Sequence, residues 1–316
     1  MIPGAPEAGA WDSAYHAPVL VDELRELFEG ARNILDCTLG GGGHSAALLA
    51  IGANVTAMDR DPQAVSAARH RLAAAEAEGR FRVILGNFAE ADRLLPHPRQ
   101  KFDGILADLG VSSHQIDEAS RGFSFREGAR LDMRMDAGEG LTAADLLNTL
   151  EESELVTVLR DYADETRARS LAREIVRRRQ TVPFASSDDL VRAIRGALGA
   201  RSGPSDFARI FQGLRIAVND ELASLERALP VLRDHLEPGG VLAVIAYHSG
   251  EDRIVKHMMR EWSRDCVCPP RQLECTCGGR ALGELVRRKA VKASDEENSR
   301  NPRARSARLR AWRRAA

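Results

Sequence analysis

The chain has 316 residues, a formal net charge of −1 at pH 7 and 44% hydrophobic residues, values that suit one large globular domain or a domain with an insertion. No apolar run approaches the ~20 residues of a membrane span, and the first residues show no basic-then-apolar signal segment. We therefore expect a cytoplasmic protein with no membrane partner. Aromatic residues make up only 5% of the chain, which disfavours a protein that binds single strands by base stacking.

The first part of the chain alternates between strands and helices. Residues 1–15 are rich in Ala, Gly and Pro and are expected to form a disordered tail. Short apolar runs predict strands, and capping and alanine-rich segments predict the helices between them. The predicted strands are 33–36, 54–59, 81–85 and 105–109, and the predicted helices are 44–51 and the segment from Asp61 to Gly79. Such alternation indicates a parallel sheet with helices on both faces.

The pattern changes after the fourth strand. From 142 to 199 the apolar residues recur only at helical spacing, and a further long helix follows Gly203-Pro204. An unbroken apolar run at 241–247 then predicts a buried strand of a parallel sheet. We interpret the chain as one α/β domain in two pieces with an all-helical insertion.

The segment DCTLGGGGHS at 36–45 joins the first strand to the first helix. Four consecutive glycines indicate a constrained backbone path on which a ligand can lie against the main chain, near the free N–H groups of a helix N-terminus. Asp59 ends the second strand, where a carboxylate can accept both hydroxyls of a ribose. We predict a nucleoside-containing cofactor. The alternative, a glycine-rich surface loop, is disfavoured by the strand–helix–strand context.

The glycine spacing distinguishes between cofactors. A dinucleotide fingerprint needs Gly-x-Gly-x-x-Gly, but Ser45 stands where the third glycine would be. Asp36, four positions before Gly40, instead gives the Asp-x-x-x-Gly-x-Gly motif, so the segment resembles class I S-adenosylmethionine methyltransferases. We therefore predict an α/β class I methyltransferase fold, with a Rossmann-like parallel-type sheet and S-adenosylmethionine as cofactor. The methyltransferase domain is predicted at 16–112 and 211–316, and an inserted helical substrate-recognition domain at 113–210.

Further segments match the motifs of one family in the same order along the chain. They are HAPVL at 16–20, GGGGHS at 40–45, DRDP at 59–62, DLGVSS at 108–113 with Gln115, RGFSF at 121–125, LDMRMD at 131–136, FQ at 211–212, LRI at 214–216, VN at 218–219, EL at 221–222, HS at 248–249, EDRIVK at 251–256 and NPRARS at 301–306. Over residues 15–310 the chain resembles the bacterial 16S rRNA (cytosine-N4)-methyltransferases. The resemblance implies methyl transfer from S-adenosylmethionine to N4 of a cytidine in the decoding region, with the small ribosomal subunit as partner. It leaves a homodimer open.

The resemblance also implies where the cofactor binds. It assigns contacts to the glycine turn, to the ribose carboxylate, to a ring beside the adenine and to two residues that close the site: Gly42, Gly43, His44, Asp59, Phe88, Asp108 and Gln115. Two segments depart from the family's pattern. Residues 246–250 read AYHSG where the family usually has Phe-His-Ser-Leu, and 206–211 read DFARIF in place of the usual Ala-Thr-Arg-Thr-Phe.

Three residues are candidates for catalysis. Cytosine N4 is a poor nucleophile because its lone pair is delocalised into the ring, so an acceptor that orients the amino group would help. Asp108 either supplies that acceptor or holds only the cofactor. His248 and Ser249, at the end of the strand 241–247, are candidate base-pocket groups. The alternative for His248 is a histidine satisfied by local hydrogen bonds.

Four of the five cysteines are clustered as Cys266-x-Cys268 and Cys275-x-Cys277. A disulfide framework does not suit a cytosolic enzyme. An all-cysteine zinc site is an alternative, but Cys-x-Cys is tighter than the usual spacing, so we predict no metal ligands. Cys37 is expected to be a small buried residue beside the glycine turn.

The C-terminal part of the chain is basic. Residues 280–316 contain twelve Lys or Arg and four Asp or Glu, which indicates either a solvated charged surface or an edge that contacts phosphates.

Three other functions compete with the rRNA methyltransferase. The first is a methyltransferase of the same fold that acts on protein or on a small molecule. The helical insertion and the basic tail argue against a small substrate. The second is a non-catalytic RNA-binding factor, which the intact glycine turn disfavours. The third is a nicotinamide enzyme, which the Asp-x-x-x-Gly-x-Gly motif disfavours.

Overall fold

The computed structural model describes residues 11–12, 17–97, 100–136, 138, 140–266, 268, 272, 274, 276–277 and 279–316. Most of the predicted N-terminal tail at 1–15 therefore lies outside the described residues. The chain divides into two compact units. The first comprises Met1–Gly110 and Ser224–Ala316, and the second is Val111–Ala223.

The first unit is built on one seven-stranded sheet with the order β3-β2-β1-β4-β5-β7-β6. The strands are β1 Asn33–Asp36, β2 Asn54–Asp59, β3 Phe81–Leu85, β4 Phe102–Asp108, β5 Leu236–Ala246, β6 Gly283–Leu285 and β7 Arg308–Arg314. Strands β1 to β5 pair in parallel, whereas β7 pairs antiparallel with both β5 and β6. The predicted α/β class I methyltransferase fold is confirmed, with an antiparallel edge that the sequence did not predict.

Helices cover both faces of this sheet. They are α1 Val21–Leu27, α2 Gly43–Ala50, α3 Pro62–Arg71, α4 Ala73–Ala77, α5 Ala91–Leu94, α12 Glu221–Asp234, α13 Ser249–Trp262 and α14 Asp295–Arg300, with the second unit ending inside α12 at Ala223. Successive strand residues point to opposite faces. Accordingly Ile34 and Leu106 belong to one buried apolar cluster, and Leu35 and Ile105 to the other. The site residues at the strand ends thus extend from a rigid framework.

The second unit consists of helices around its own core. They are α6 Ser113–Asp117, α7 Ala143–Thr149, α8 Glu152–Thr157, α9 Ala168–Arg179, α10 Ser187–Leu198 and α11 Pro204–Asn219. A π-helical turn, Val158–Tyr162, continues α8. The unit extends beyond the predicted boundary at 210, because Phe207, Phe211 and Leu214 along α11 are buried in the same apolar cluster as the other helices.

A buried asparagine organises the irregular segment that precedes α7. The side-chain oxygen of Asn219 accepts the N–H of Met135 at 2.8 Å, and its amide donates to the carbonyl of Met133 at 2.7 Å. Arg121 donates to the carbonyl of Met135 at 2.8 Å. The RGFSF and LDMRMD motifs and the VN motif at 218–219 therefore hold one another in place within this unit.

In the ranges that the structure covers, no helix combines the length and hydropathy needed to cross a bilayer.

Candidate cofactor and catalytic site

The glycine turn follows β1 and leads directly into α2. Gly40 and Gly42 have φ values of 51° and 76°, the left-handed region that glycine adopts without a steric penalty. A Cβ at Gly42 would lie 3.3 Å from the Cβ of Ala68, and one at Gly43 would lie 2.9 Å from Cγ of Pro18. A Cβ at Gly40 would meet no atom of the structure within 4 Å. Neighbouring protein atoms thus crowd the turn at Gly42 and Gly43, whereas Gly40 borders open space.

The Asp36 side chain stabilises this turn by hydrogen bonds. Its fully buried carboxylate accepts the Ser45 hydroxyl at 2.7 Å and the Thr38 N–H at 3.1 Å. Burial raises the pKa of Asp36, and the hydrogen bond from Ser45 opposes that rise. The Thr38 hydroxyl in turn accepts the N–H of Asp108 at 2.6 Å, which connects the end of β1 to the end of β4. Ser45, which replaces the third glycine of a dinucleotide fingerprint, therefore has a structural partner.

Asp59 ends β2 beside the same turn. One carboxylate oxygen accepts the Gly40 N–H at 2.8 Å, and the other accepts the Asp61 N–H at 2.9 Å. Burial raises the pKa of Asp59 to about 6, although both of these hydrogen bonds favour the charged form. Because each carboxylate oxygen has two acceptor positions, Asp59 can shape the turn and still accept hydroxyls from a ligand.

Asp108 ends β4, and its carboxylate lies beside two polar side chains. The Tyr247 hydroxyl donates to its Oδ1 at 2.8 Å, and Nδ1 of His44 lies 3.5 Å from its Oδ2. The other ring nitrogen of His44, Nε2, lies 2.9 Å from the carbonyl oxygen of Val19. A carbonyl only accepts, so Nε2 carries a proton. The buried His44 ring is therefore held by Val19, with its Nδ1 edge facing the Asp108 carboxylate.

Tyr247 is a site residue that sequence reasoning did not select. Burial and the Asp108 carboxylate raise the pKa of Tyr247 well above its usual value, so its phenol stays protonated and acts as a donor. The signal was available in the sequence, since a tyrosine ends the predicted strand 241–247, directly before the candidate His248.

His248 and Ser249 lie at the start of α13. Glu251 caps this helix by accepting the N–H of the N-cap residue His248 at 3.3 Å, and it also accepts the N–H of Tyr247 at 2.8 Å. Nε2 of His248 lies 3.2 Å from a Glu251 oxygen, but it is buried and has no partner with hydrogen-bond geometry among the described residues. Ser249 is exposed at the first helical position. A buried, unsatisfied ring nitrogen is compatible with a ligand contact at His248.

Two predicted contacts lie on other elements. Phe88 follows β3, where it is half-buried and packs on one apolar cluster of the first unit. Gln115 belongs to the second unit, where its side chain is buried and accepts the Ser112 N–H at 3.0 Å. The first unit thus brings Gly42, Gly43, His44, Asp59, Phe88, Asp108 and His248 to the carboxyl ends of adjacent parallel strands, where ligands bind in such sheets.

The basic C-terminal segment is more structural than its charge suggests. Arg310 donates to both oxygens of Asp252, at 2.7 and 3.1 Å. Arg313 and Arg314 donate to backbone carbonyls at 2.9 and 2.6 Å. These arginines belong to β7 inside the sheet, so much of their charge serves the fold of the first unit. Cys37 is buried, as predicted.

Comparisons with known proteins identify the family of this chain. The model of the MraW methylase family matches residues 13–315. A protein named Ribosomal RNA small subunit methyltransferase H, from Gemmatimonas aurantiaca, is 61% identical over 301 residues, covering 95% of this chain and 96% of that protein. Proteins of the same name from Anaeromyxobacter sp. (strain K) and Heliobacterium modesticaldum are 47% and 45% identical, each covering 94% of this chain and 96% and 97% of their own lengths. This chain therefore belongs to the MraW methylase family.

Proposed function

We propose that the chain transfers a methyl group from S-adenosylmethionine to the N4 amino group of a cytidine in the decoding region of 16S rRNA, acting on the small ribosomal subunit in the cytoplasm. The observation that carries the proposal is the 61% identity, across 95% of the chain, to a protein named Ribosomal RNA small subunit methyltransferase H. The polar groups gathered at the strand ends support it. Homodimerisation stays a prediction for mass measurement in solution.

The residues of the first unit fit S-adenosylmethionine. Open space borders Gly40, and the adjacent Asp59 carboxylate retains acceptor positions for ribose hydroxyls. Backbone groups of Gly42, Gly43 and His44 would contact the methionine moiety, and the half-buried Phe88 ring would lie beside the adenine. When bound, the cofactor supplies a methyl group activated by a positively charged sulfur.

Asp108 would orient the reacting amino group. Its carboxylate can accept a hydrogen bond from N4, which turns the nitrogen lone pair toward the methyl donor. The Tyr247 hydroxyl holds one oxygen of the carboxylate in place, so little reorganisation is needed when the base arrives. Once methylated, N4 is acidic and loses its proton readily, so the reaction does not require a strong general base.

His248 and Ser249 would contact the target base. The buried Nε2 of His248 offers a polar atom whose hydrogen-bonding capacity the described residues do not use. Ser249 is exposed and begins the same helix. We assign both to the base pocket rather than to proton transfer.

The helical second unit would recognise RNA. Arg169 and Arg173 lie one helical turn apart on α9, and both are exposed. Their charges can neutralise phosphates, the sequence-independent part of nucleic-acid binding. The all-helical core behind them gives this surface a fixed shape.

The proposal is tested by mass spectrometry of small-subunit rRNA from cells with and without the gene. We expect one cytidine of the decoding region to lose its N4-methyl group when the gene is deleted, and to regain it with the wild-type gene. An unchanged modification pattern would overturn the proposed substrate. Complementation with Asp108→Ala is the matched control. It supplies the protein but removes the carboxylate that we propose for the reaction.

A further inference from the structure

Residues 263–282, here called the connecting loop, join α13 to β6. The connecting loop begins after Trp262 and is closed at its base by the Leu282 N–H, which donates to the Trp262 carbonyl at 2.8 Å. No helix or strand forms among the described residues of 263–282.

Three cysteines of this loop come together. The Sγ atoms of Cys266, Cys268 and Cys277 all lie within 4.8 Å of one another. Cys266 and Cys277 are separated by 3.8 Å between sulfurs, far longer than the ~2.05 Å of a disulfide bond between them. Four sulfurs at ~2.3 Å from a tetrahedral zinc ion would be ~3.8 Å apart. The separation of these two sulfurs is therefore that of neighbouring zinc ligands.

The backbone next to Cys277 supports a charged sulfur. The Gly279 N–H donates to Sγ of Cys277 at 3.3 Å, a contact that stabilises a thiolate. A Cβ at Gly279 would lie 2.8 Å from the Asp265 carbonyl oxygen and 3.2 Å from that same sulfur. A side chain at position 279 would therefore separate the N–H of this residue from the Cys277 sulfur. The glycine allows the N–H to approach the sulfur while the chain passes close to the segment that carries Cys266.

We propose that Cys266, Cys268 and Cys277 form a structural zinc site that holds this loop together. Thiolates are soft ligands that select zinc over magnesium or calcium. The sequence offers a fourth thiol, Cys275, which lies outside the described residues. Each Cys-x-Cys pair is tighter than the common spacing, but sulfurs from both ends of the loop meet in space. The ion would stabilise the connection between α13 and β6 and would take no part in methyl transfer.

The test is the metal content of the full-length protein. Protein expressed with zinc in the medium and dialysed extensively should contain about one zinc ion per chain by plasma mass spectrometry. Cys266→Ser and Cys277→Ser should each lower zinc to below about a tenth of the wild-type content. Cys37→Ser, which removes a buried thiol elsewhere in the first unit, should leave it unchanged and is the matched control.

Cobalt substitution gives a second measurement that needs no variant. Wild-type protein in which Co²⁺ replaces zinc should show the intense sulfur-to-cobalt charge-transfer absorption of a tetrahedral thiolate site. Wild-type protein that carries less than about a tenth of a zinc ion per chain and gives no such band would overturn the proposal. Zinc retained in full by a folded Cys266→Ser, Cys277→Ser double variant would also overturn it.

Discussion

The hydroxyl of Tyr247 donates a hydrogen bond of 2.8 Å to Oδ1 of Asp108. The two residues are 139 positions apart in the chain and meet because β4 and β5 pair in parallel, with Asp108 opposite Ile245. Tyr247 therefore gives a fixed donor to the carboxylate that we propose as the acceptor for the reacting amino group.

We expect Tyr247→Phe to lower kcat by about tenfold, because a hydrogen bond to a charged group contributes ~1.5–3 kcal/mol and the variant removes only that bond. The Kd for S-adenosylmethionine should change little. Steady-state kinetics on small subunits and calorimetry of cofactor binding measure the two effects separately. Tyr162→Phe, which removes a hydroxyl in the second unit, is the control. If Tyr247→Phe weakened cofactor binding and left kcat intact, the Tyr247 hydroxyl would support cofactor binding. It would then not act through Asp108 on the N4 amino group.

Asp59→Ala should weaken S-adenosylmethionine binding at least tenfold. The substitution removes the proposed acceptor of two ribose hydroxyls, each bond worth ~1.5–3 kcal/mol, together with the acceptor for the Gly40 N–H. Calorimetry gives the affinity directly. Circular dichroism establishes that the variant is folded. Wild-type affinity in a folded Asp59→Ala protein would contradict the ribose assignment.

The affinity for S-adenosylmethionine should depend on pH below neutrality. The pKa of Asp59 is raised from 3.8 to about 6, so the carboxylate is largely ionised at neutral pH and becomes protonated as the pH falls through about 6. Protonation removes acceptor positions that the ribose would use. The affinity should therefore be constant above pH 7 and fall by up to about tenfold per pH unit below pH 6.

The control for this pH dependence is Asp59→Asn, which keeps the size of the side chain and cannot ionise. Its weaker affinity should vary little over the same range, and parallel titrations cancel the ionisation of the cofactor itself. Asp36, whose pKa is also raised, is present in both proteins. Identical pH profiles for the wild type and Asp59→Asn would assign the titration to a group other than Asp59.

Binding to small ribosomal subunits should weaken with salt, because phosphate contacts release counterions. Replacing both Arg169 and Arg173 by glutamine should reduce the slope of log K against log salt by about one to two, on the order of one per lost phosphate contact. Arg177→Gln on the same helix is the control, since Arg177 is already paired with Glu174 at 2.8 Å. An unchanged slope in the double variant would remove this face of α9 from the RNA-binding surface.

The sequence predicts the parts of the structure that depend on local pattern. Strands β1, β2 and β3 have the predicted bounds because apolar runs and turn residues delimit them. The predicted helix from Asp61 to Gly79 is instead two helices that meet at Leu72. Strand β7 was missed, because its arginines resemble a solvated tail until Asp252 and the strand β5 are placed beside them.

The candidate site likewise contains residues that the local sequence pattern predicts and contacts that it does not predict. The glycine turn and Asp59 can be found from spacing alone, since they follow consecutive elements of the chain. The contact between Tyr247 and Asp108 depends on strand register, and Asp59's bonds to Gly40 and Asp61 depend on the path of the turn. Neither can be derived from residue type and spacing.

The most direct test of the proposed reaction is product analysis with purified components. Small subunits from cells that lack the gene would be incubated with methyl-labelled S-adenosylmethionine and either wild-type protein or Asp108→Ala, and the rRNA nucleosides identified by mass spectrometry. We predict label on N4 of a single decoding-region cytidine, with kcat about 10²-fold lower for Asp108→Ala, the scale of losing one positioned polar group. Asp108→Asn, which keeps an acceptor oxygen, should retain more activity. Label on ring carbon C5, on a ribose oxygen or on protein would contradict the account.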